Sequence, residues 1–454
     1  MRTALWRLPV TVIVCVGVGV AGCGLLVPGV IRGRIISIVT PVTDPHHVQT
    51  GRELTTVITQ SSAEIAVAAR RGIVELAGSG DHSPESWWGM TGIWGGASPP
   101  AWWQTALALR TLVRYLERTG NTDPRYQRVL LTTYARNVST PHADAHYGFV
   151  NKYLDDTAWW GLAWLEASKY ERDYRHDPAD AERFLSVAER DAQYVASQPR
   201  ECGGIEWEIG YPPDTITSAE FIALTAELSD YRHSSGYVHD DLKAAAWLAD
   251  ARSALRWLET GPLVNLRTGV VFDRLNARCN KVYGLALTYT EGEVADALVQ
   301  MGSALRDKSY YRQAARFLNY AISPASGLIS HGILQDHCEA QKGSCSHTPD
   351  RLDFPAFKGV FMQAVADWSA ATGSAAFRGF VLDQASAILD DSIVGSSNER
   401  GGCASPHRCQ FGFSWAQEPG RSSIGVTVAT QASALDALTA MLFFGANGDR
   451  AAAP

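Results

Sequence analysis

The chain lacks the features that mark several common protein classes. Only 19% of its 454 residues are charged, and 47 Asp and Glu outnumber 40 Lys and Arg, so the net charge is −7. A nucleic-acid binder needs a basic surface, so we predict no nucleic-acid partner; the same balance counts weakly against anionic substrates. The sequence contains no P-loop, the motif that binds nucleotide phosphates, and no G-x-S-x-G motif, which carries the nucleophilic serine of α/β-hydrolases. We therefore predict neither kind of site.

Apolar and aromatic residues are abundant instead. The sequence is 46% hydrophobic and contains 14 Trp and 16 Tyr. Such a chain has enough apolar surface for a large core, which excludes a disordered protein. Aromatic rings also stack on the C–H faces of sugars, so the surplus is compatible with a carbohydrate ligand.

The N-terminus has the pattern of an export signal. Arg2 and Arg7 precede an uncharged, mostly apolar stretch over residues 8–31. A basic segment followed by an apolar one is typical of a secretory signal, and 24 residues also suffice for an uncleaved anchor. Small residues before Cys23 resemble a bacterial lipobox, which makes Cys23 a candidate for lipidation. All three forms (anchored, lipidated or released) place the folded part outside the cytoplasm, with the membrane as a partner of the first two.

Six cysteines lie beyond this segment. An even number in an exported chain predicts disulfides. Close spacing makes Cys338–Cys345 and Cys403–Cys409 the simplest pairs, which leaves Cys202–Cys279. Zinc is the alternative, but no C-x-x-C pair is present, so we predict no metal and no cofactor.

The dominant pattern from about residue 47 is helical. Apolar residues recur at i, i+3 and i+4, while strand patterns are few, with one candidate hairpin arm over residues 269–273. We predict twelve helices, near residues 48–78, 101–119, 124–138, 154–175, 178–198, 217–233, 239–259, 287–305, 308–322, 354–372, 374–391 and 425–445.

Short and long joints between these helices largely alternate. This is expected when helices pair and every second connection crosses one end of a toroid. We therefore predict an all-α fold, an (α/α)6 barrel, with residues 1–46 as signal or anchor plus linker and residues 47–450 as one catalytic domain. An open α-solenoid is the alternative, but it requires a repeated motif, which the sequence lacks. Function is expected on the long loops.

Two adjacent acids stand in an aromatic setting at the predicted start of a helix. Asp155 and Asp156 have Trp159 and Trp160 four residues further on, and Tyr153 precedes them. Asp is also common at helix starts for capping alone. A carboxyl group against apolar rings nevertheless tends to have a raised pKa, and a second carboxylate beside it is the arrangement of glycosidases.

Motifs in the same order along the chain resemble glycoside hydrolase family 76, the α-1,6-mannanases, and the chain is similar to an exported, actinobacterial-type member. The matching stretches are Tyr153-Leu154-Asp155-Asp156 with Trp159-Trp160-Gly161, Trp102-Trp103-Gln104, Gly203-Gly204-Ile205, Thr288-Tyr289-Thr290-Glu291-Gly292, Phe357-Lys358-Gly359 and Gln431-Ala432-Ser433. The resemblance implies an (α/α)6 barrel and retaining, endo-type cleavage of α-1,6-mannan, including lipomannan-like polymers of a cell envelope. It also implies that Asp155 is the nucleophile and Asp156 the general acid/base.

The motif stretches and the long loops supply candidate sugar-binding residues. These are Trp102, Trp103, Tyr153, Trp159, Trp160, Trp207, Tyr289, Glu291, Lys358 and Trp415. Glu291 and Glu206 depart from the family pattern and add negative charge near the expected cleft. Two other functions remain open: a cell-wall transglycosylase that uses the same Asp pair, and a non-catalytic carbohydrate-binding envelope protein.

Overall fold

The computed structural model describes residues 60–78, 83–95, 102–140, 145–234, 236, 238–284, 286–340, 352–389, 402–405, 408–415 and 424–451. Within these residues the chain is mainly helical. The helices are α1 (Ser62–Leu76), α2 (Trp102–Thr119), α3 (Pro124–Asn137), α4 (Leu154–Tyr170), α5 (Pro178–Ser197), α6 (Thr215–Ser234), α7 (Asp241–Thr260), α8 (Thr288–Leu305), α9 (Lys308–Ala321), α10 (His337–Ala340), α11 (Phe354–Thr372), α12 (Arg378–Ala387) and α13 (Val428–Ala451).

Six of these helices form a closed inner ring. Helix α2 packs on α4, and the series continues through α6, α8, α11 and α13, which packs back on α2. The remaining long helices lie outside this ring, as α5 does on α4, α7 on α6 and α9 on α8. The predicted all-α (α/α)6 barrel is therefore confirmed.

Burial along each helix explains which layer it occupies. In the outer helix α9 the buried residues are Ala314, Phe317, Leu318 and Ala321, spaced i, i+3, i+4 and i+7 on one face. Helix α11 is instead buried along nearly its whole length, from Pro355 to Ser369. A helix that is apolar on every side has to be covered on every side, which is the environment of the inner ring.

Two motif glycines let inner helices approach closely. A Cβ atom at Gly292 of α8 would lie 2.7 Å from the Cα of Phe361 in α11. One at Gly359 of α11 would lie 2.5 Å from the Cα of Ser433 in α13. Because backbone atoms cannot yield as a flexible side chain can, these glycines are required for helix packing.

Charged residues cross the barrel axis. Arg114 of α2 donates to Glu166 of α4 at 2.5 Å and to Asp367 of α11 at 2.7 Å. Arg110 lies 3.5 Å from Asp296 of α8 and 3.3 Å from Glu166, and all these side chains are mostly buried. The network thus connects four inner helices through groups that each have an oppositely charged partner.

The long connections lead from an outer helix to the next inner helix. Most contain a short antiparallel strand pair. The pairs are Trp87–Trp88 with Ile93–Trp94, Ala145–Tyr147 with Val150–Asn151, Val264–Asn265 with Val270–Val271, Arg274–Leu275 with Val282–Tyr283, Ile329–Ser330 with Ile333–Leu334, and Gly402–Ser405 with Arg408–Gln410. The candidate arm at residues 269–273 thus contains one strand of the third pair.

The predicted Cys202–Cys279 disulfide is present and joins two long connections, with the two Cα atoms 6.1 Å apart. Cys338 and Cys409 are also disulfide-bonded. Their predicted partners, Cys345 and the Cys403 side chain, lie outside the described part of the chain. So do residues 1–59, which include Cys23 and the predicted boundary at residue 47. No helix among the described residues has the length and hydropathy needed to cross a bilayer.

Candidate active site

A cleft of about 430 Å³ opens where the inner helices begin. The lining residues come from the first two turns of the inner helices α2, α4, α8 and α11 and from the loops that precede the inner helices. They are Trp102, Trp103, Asn151, Tyr153, Asp155, Asp156, Trp159, Trp207, Asp214, Asp273, Arg274, Leu287, Tyr289, Asp353, Phe354 and Phe357. The positive ends of several helix dipoles therefore face one cleft, which favours negative charge there.

The start of α4 is fixed by its own side chains and by the loop before α6. The Asn151 side chain accepts a hydrogen bond from the backbone N–H of Tyr153, and the Thr157 hydroxyl accepts one from the N–H of Asn151. The backbone N–H of Leu154 donates to the carbonyl of Trp207 at 2.8 Å. This irregular helix start brings both following acids to the cleft, although consecutive helical side chains diverge by about 100°.

The two acids have different partners. Oδ1 of Asp155 accepts the backbone N–H of Asp156 at 2.8 Å, and Oδ2 accepts the indole N–H of Trp207 at 2.8 Å. Oδ2 of Asp156 accepts the Asn151 side-chain amide at 2.7 Å. Both oxygens of Asp155 are thus held by N–H donors, which favours its carboxylate form and fixes its orientation.

Burial raises the pKa of Asp155 to about 7. The negative charge of Asp353 contributes to the rise, whereas the hydrogen bonds from Asp156 and Trp207 oppose it. A carboxyl group that titrates near neutrality has the property needed for proton transfer or for nucleophilic attack in a coupled pair.

Three further acids line the same cleft. Asp214 and Asp353 directly precede α6 and α11, and Asp273 lies between two strand pairs. Burial raises the pKa of Asp214 well above its ordinary value, with the charges of Asp155 and Asp273 adding to the rise. Asp353 accepts the indole N–H of Trp103 at 3.1 Å. Sequence reasoning missed Asp214 and Asp273 as cleft residues, because they are distant from the Asp155–Asp156 pair in sequence and stand in no shared motif.

Aromatic rings form the walls. Tyr289 stacks on Phe357 with 3.8 Å between ring centroids and 4° between the planes. Tyr153 lies against Trp207 at 5.2 Å. Trp102, Trp103 and Trp159 complete the set, so six of the ten predicted sugar-binding residues line the cleft together with both predicted catalytic acids.

Four predicted sugar-binding residues lie elsewhere. Trp160 is fully buried and packs on Trp102 with ring centroids 4.7 Å apart, and Trp415 is also fully buried. Glu291 is fully buried and accepts the backbone N–H of Val271 at 3.2 Å. None of the three lines the cleft, because helical side chains one position apart point to different faces and long loops also carry core residues.

Lys358 is the fourth of these residues. Its ammonium group donates to both oxygens of Glu339, at 2.7 and 2.9 Å, and to the carbonyl of Phe413 at 2.8 Å. The side chain is fully buried and lies over the Phe413 ring. Lys358 therefore anchors two long loops and does not line the cleft.

Glu206, the second departure from the motif pattern, is also structural. Its carboxylate accepts the backbone N–H groups of Glu201 and Gly210 and is almost fully buried. The carboxyl groups of Glu206 and Glu291 thus accept hydrogen bonds from backbone N–H groups of long connections and do not line the cleft.

Among the described residues, one group of acids is close enough to share a cation. Glu171, Asp177 and Asp180 lie at the joint of α4 and α5, outside the cleft. Arg175 and Arg183 already form ion pairs with members of this group.

The sequence model described as glycosyl hydrolase family 76 matches residues 81–451. The chain belongs to this family. It is therefore a glycosidase, and the predicted family resemblance is confirmed. No curated protein matches the chain.

Several solved structures share the fold of this chain. An inactive variant of the α-1,6-mannanase GH76A of Salegentibacter sp. HEL1_6, with two consecutive aspartates replaced and α-1,6-mannotetraose bound, has a TM-score of 0.62 at 18% identity, covering 84% of this chain and 99% of that one. Dfg5 from Chaetomium thermophilum, in complex with glucosamine, has a TM-score of 0.65 at 21% identity, with coverages of 86% and 93%. The α-mannanase BT2949 of Bacteroides thetaiotaomicron has 0.58 at 14% identity, with coverages of 87% and 99%.

Proposed function

We propose that this family 76 glycosidase is a retaining, endo-acting α-1,6-mannanase of mannan-type cell-envelope polysaccharide. The observation that carries the proposal is the pair of consecutive acids, Asp155 and Asp156, at the bottom of an aromatic-walled cleft. The solved α-1,6-mannanase that is inactive when two consecutive aspartates are replaced supports it. Aromatic walls stack on sugar faces, and an uncharged sugar has no conflict with the acids around it.

Asp155 is the nucleophile in this proposal. Its two N–H donors hold the carboxylate toward the sugar, where one oxygen attacks the anomeric carbon and forms a glycosyl ester. Asp156 donates its proton to the departing glycosidic oxygen in the same step. It then takes a proton from water, whose oxygen attacks the anomeric carbon and releases Asp155. Because each displacement inverts the anomeric carbon, the two together retain its configuration, and the atoms of the glycan and the water are all accounted for in the products.

Endo action is supported by the surface beyond the cleft. A second groove of about 690 Å³ shares Trp207 and Arg274 with it. A polymer that enters the cleft therefore has room to continue past the catalytic pair, rather than ending at a closed wall.

We further propose that the enzyme is exported and held at the outer face of the cell membrane, by the N-terminal segment or by lipidated Cys23, or else secreted. The Cys202–Cys279 disulfide supports an oxidising compartment. A globomycin-sensitive shift in mobility, lost in Cys23→Ser, tests lipidation.

The catalytic proposal is tested on linear α-1,6-mannan with wild type, Asp155→Asn and Asp156→Asn. We expect each substitution to lower kcat by about 10³-fold or more, because neither step proceeds without its acid. Proton NMR of the first product gives the anomeric configuration. The adjacent acids Asp240 and Asp241 provide a matched control, since they begin the outer helix α7; Asp240→Asn/Asp241→Asn retains full turnover.

Each alternative has its own outcome. Unchanged turnover in both cleft variants contradicts the assigned mechanism. Longer or re-linked chains, in place of new reducing ends, indicate that a sugar hydroxyl replaces water, as in a transglycosylase. Mannan binding without turnover by the wild type indicates a non-catalytic carbohydrate-binding protein.

A further inference from the structure

The groove beside the cleft has a composition unlike that of the cleft. It is lined by Trp207, Tyr211, Pro212, residues 274–278, Asn280, Lys281 and Tyr283. Three of these residues, Arg274, Arg278 and Lys281, are cationic, and none is acidic. We call this surface the basic groove. The adjoining cleft contains five carboxyl groups, so the sign of the charge changes where the two surfaces meet at Trp207 and Arg274.

The cationic groups of the basic groove are available to a ligand. Arg274, Arg278 and Lys281 are all exposed. Arg274 approaches Asp273 only at 3.8 Å, and its side chain is 58% exposed. Within the described residues, the side chains of Arg278 and Lys281 have no ion-pair partner. In a protein with net charge −7, three cations on one groove wall form a local positive patch.

The loop that presents these cations is held in one conformation. The Asn276 side-chain oxygen accepts the backbone N–H groups of Asn280 and Lys281, and its amide donates to the Asn280 side chain at 2.9 Å. The disulfide from Cys279 to Cys202 attaches this loop to the one that carries Trp207 and Tyr211. A preordered loop loses less entropy when a ligand binds.

Aromatic rings interleave with the cations. Tyr211 and Tyr283 are 51% and 54% exposed, and Trp207 is shared with the cleft. Rings accept the faces of sugars, whereas guanidinium and ammonium groups pair with phosphate or carboxylate oxygens. The basic groove thus combines the partners needed for a sugar chain that carries negative charge.

We propose that the basic groove binds an anionic substituent, phosphate or carboxylate, on the glycan whose mannose residues occupy the cleft. This inference rests on the proposed mannanase function and narrows its substrate to acidic mannans. The cations hold the charged group away from the five carboxyl groups of the cleft, so the substituent also sets which linkage lies over Asp155 and Asp156.

The test measures binding to the inactive Asp155→Asn/Asp156→Asn enzyme by calorimetry. The probes are neutral α-1,6-mannotetraose and the same oligosaccharide with a phosphate monoester or a carboxylate on either terminal residue. We expect the oligosaccharides that carry one of these two acidic groups, phosphate or carboxylate, to bind about tenfold more tightly than the neutral probe at low salt. The ratio of the affinity for the acidic probe to that for the neutral probe falls as NaCl screens the cations. It approaches one when Arg278→Gln/Lys281→Gln is introduced into the same inactive enzyme.

A matched control removes one Lys and one Arg from elsewhere. Lys308→Gln/Arg312→Gln changes exposed residues of the outer helix α9 and leaves the preference unchanged. Equal affinity for neutral and acidic probes, or a preference that survives Arg278→Gln/Lys281→Gln, overturns the inference. The comparison of phosphate with carboxylate identifies the substituent. Failure of the mannanase proposal is recognised separately, because the wild type then cleaves no neutral α-1,6-mannan.

Discussion

The indole N–H of Trp207 donates to Oδ2 of Asp155 at 2.8 Å, although the two residues are 52 positions apart in the sequence. The same loop also accepts, through the Trp207 carbonyl, the backbone N–H of Leu154 at the start of α4. One residue therefore orients the proposed nucleophile, fixes the helix that carries it and forms a wall of the cleft. In the proposed mechanism, Trp207 is therefore a positioning residue.

Trp207→Phe keeps an aromatic wall but removes the N–H donor. A hydrogen bond to a carboxylate lowers its pKa, so its loss raises the pKa of Asp155 further above 3.8. We expect kcat/KM at pH 6 to fall about ten- to a hundredfold, and the acid limb of the pH–rate profile to move to higher pH. A uniform drop in rate with no movement of that limb would show that Trp207 serves only as a sugar platform.

Trp257→Phe is the matched control for that substitution. Trp257 also donates its indole N–H to this connection, to the carbonyl of Cys202 at 2.8 Å, but it has no contact with the acids. We expect its pH–rate profile to coincide with that of the wild type.

The pH dependence of the wild type follows from the same carboxylate. In the proposed mechanism Asp155 attacks only when ionised, and its pKa is about 7. Below that pH its ionised fraction falls tenfold per pH unit, so kcat/KM declines toward acid. We expect the pH–rate profile to have an acid limb near neutrality, measured on α-1,6-mannan labelled at its reducing end. An acid limb near pH 4 would contradict the burial of Asp155.

Most of the helices are predictable from the sequence, because the outer helices are apolar along one face and the inner helices are apolar along most of their surface. The predicted segments 101–119, 124–138 and 308–322 agree with α2, α3 and α9 to within about one residue, and Asp123 and Asp307 cap α3 and α9. Helix α12 is shorter than predicted, because residues 374–377 form turns and the helix begins at Arg378.

The cleft was only partly predictable. Asp155 and Asp156 lie in one motif, but Asp214, Asp273 and Asp353 meet them only after the barrel closes. For Lys358 the sequence prediction is wrong: its place in a motif next to aromatic residues indicates a sugar-binding residue, but the side chain does not line the cleft. Its actual partner, Glu339, lies in the long connection before α11. Sequence spacing carries no information about which loops meet.

Lys358→Met should therefore act on stability. The substitution leaves Glu339 buried without its cation, and breaking one partner of a buried ion pair costs about 3–5 kcal/mol. We expect urea unfolding to show a loss of that order, with a smaller loss in the double variant Lys358→Met/Glu339→Gln, in which no charge is left unpaired. A raised KM for mannan at wild-type stability would instead assign Lys358 to the substrate.

Many buried acids share the direction of the shift at Asp155. Burial raises the pKa values of Asp191, Asp336 and Asp436 to about 7. In each case the folded state keeps a proton that the unfolded state releases near pH 4. Between about pH 4 and 7 the native state thus binds more protons, so stability falls as the pH rises through this window.

We therefore expect a higher Tm at pH 5 than at pH 8. A substitution at Asp191 tests whether the protons on buried carboxyl groups cause this difference. Its carboxyl group is fully buried, and one oxygen accepts from Arg190 while the other has no hydrogen-bond partner. Asp191→Asn is neutral at every pH, so the difference between Tm at pH 5 and at pH 8 should shrink. Asp307→Asn is the control, because Asp307 is exposed and its pKa is lowered by hydrogen bonds to Ser309, which places its titration below this window. An unchanged difference in Asp191→Asn, measured by calorimetry, would mean that buried protons do not set the pH dependence of stability.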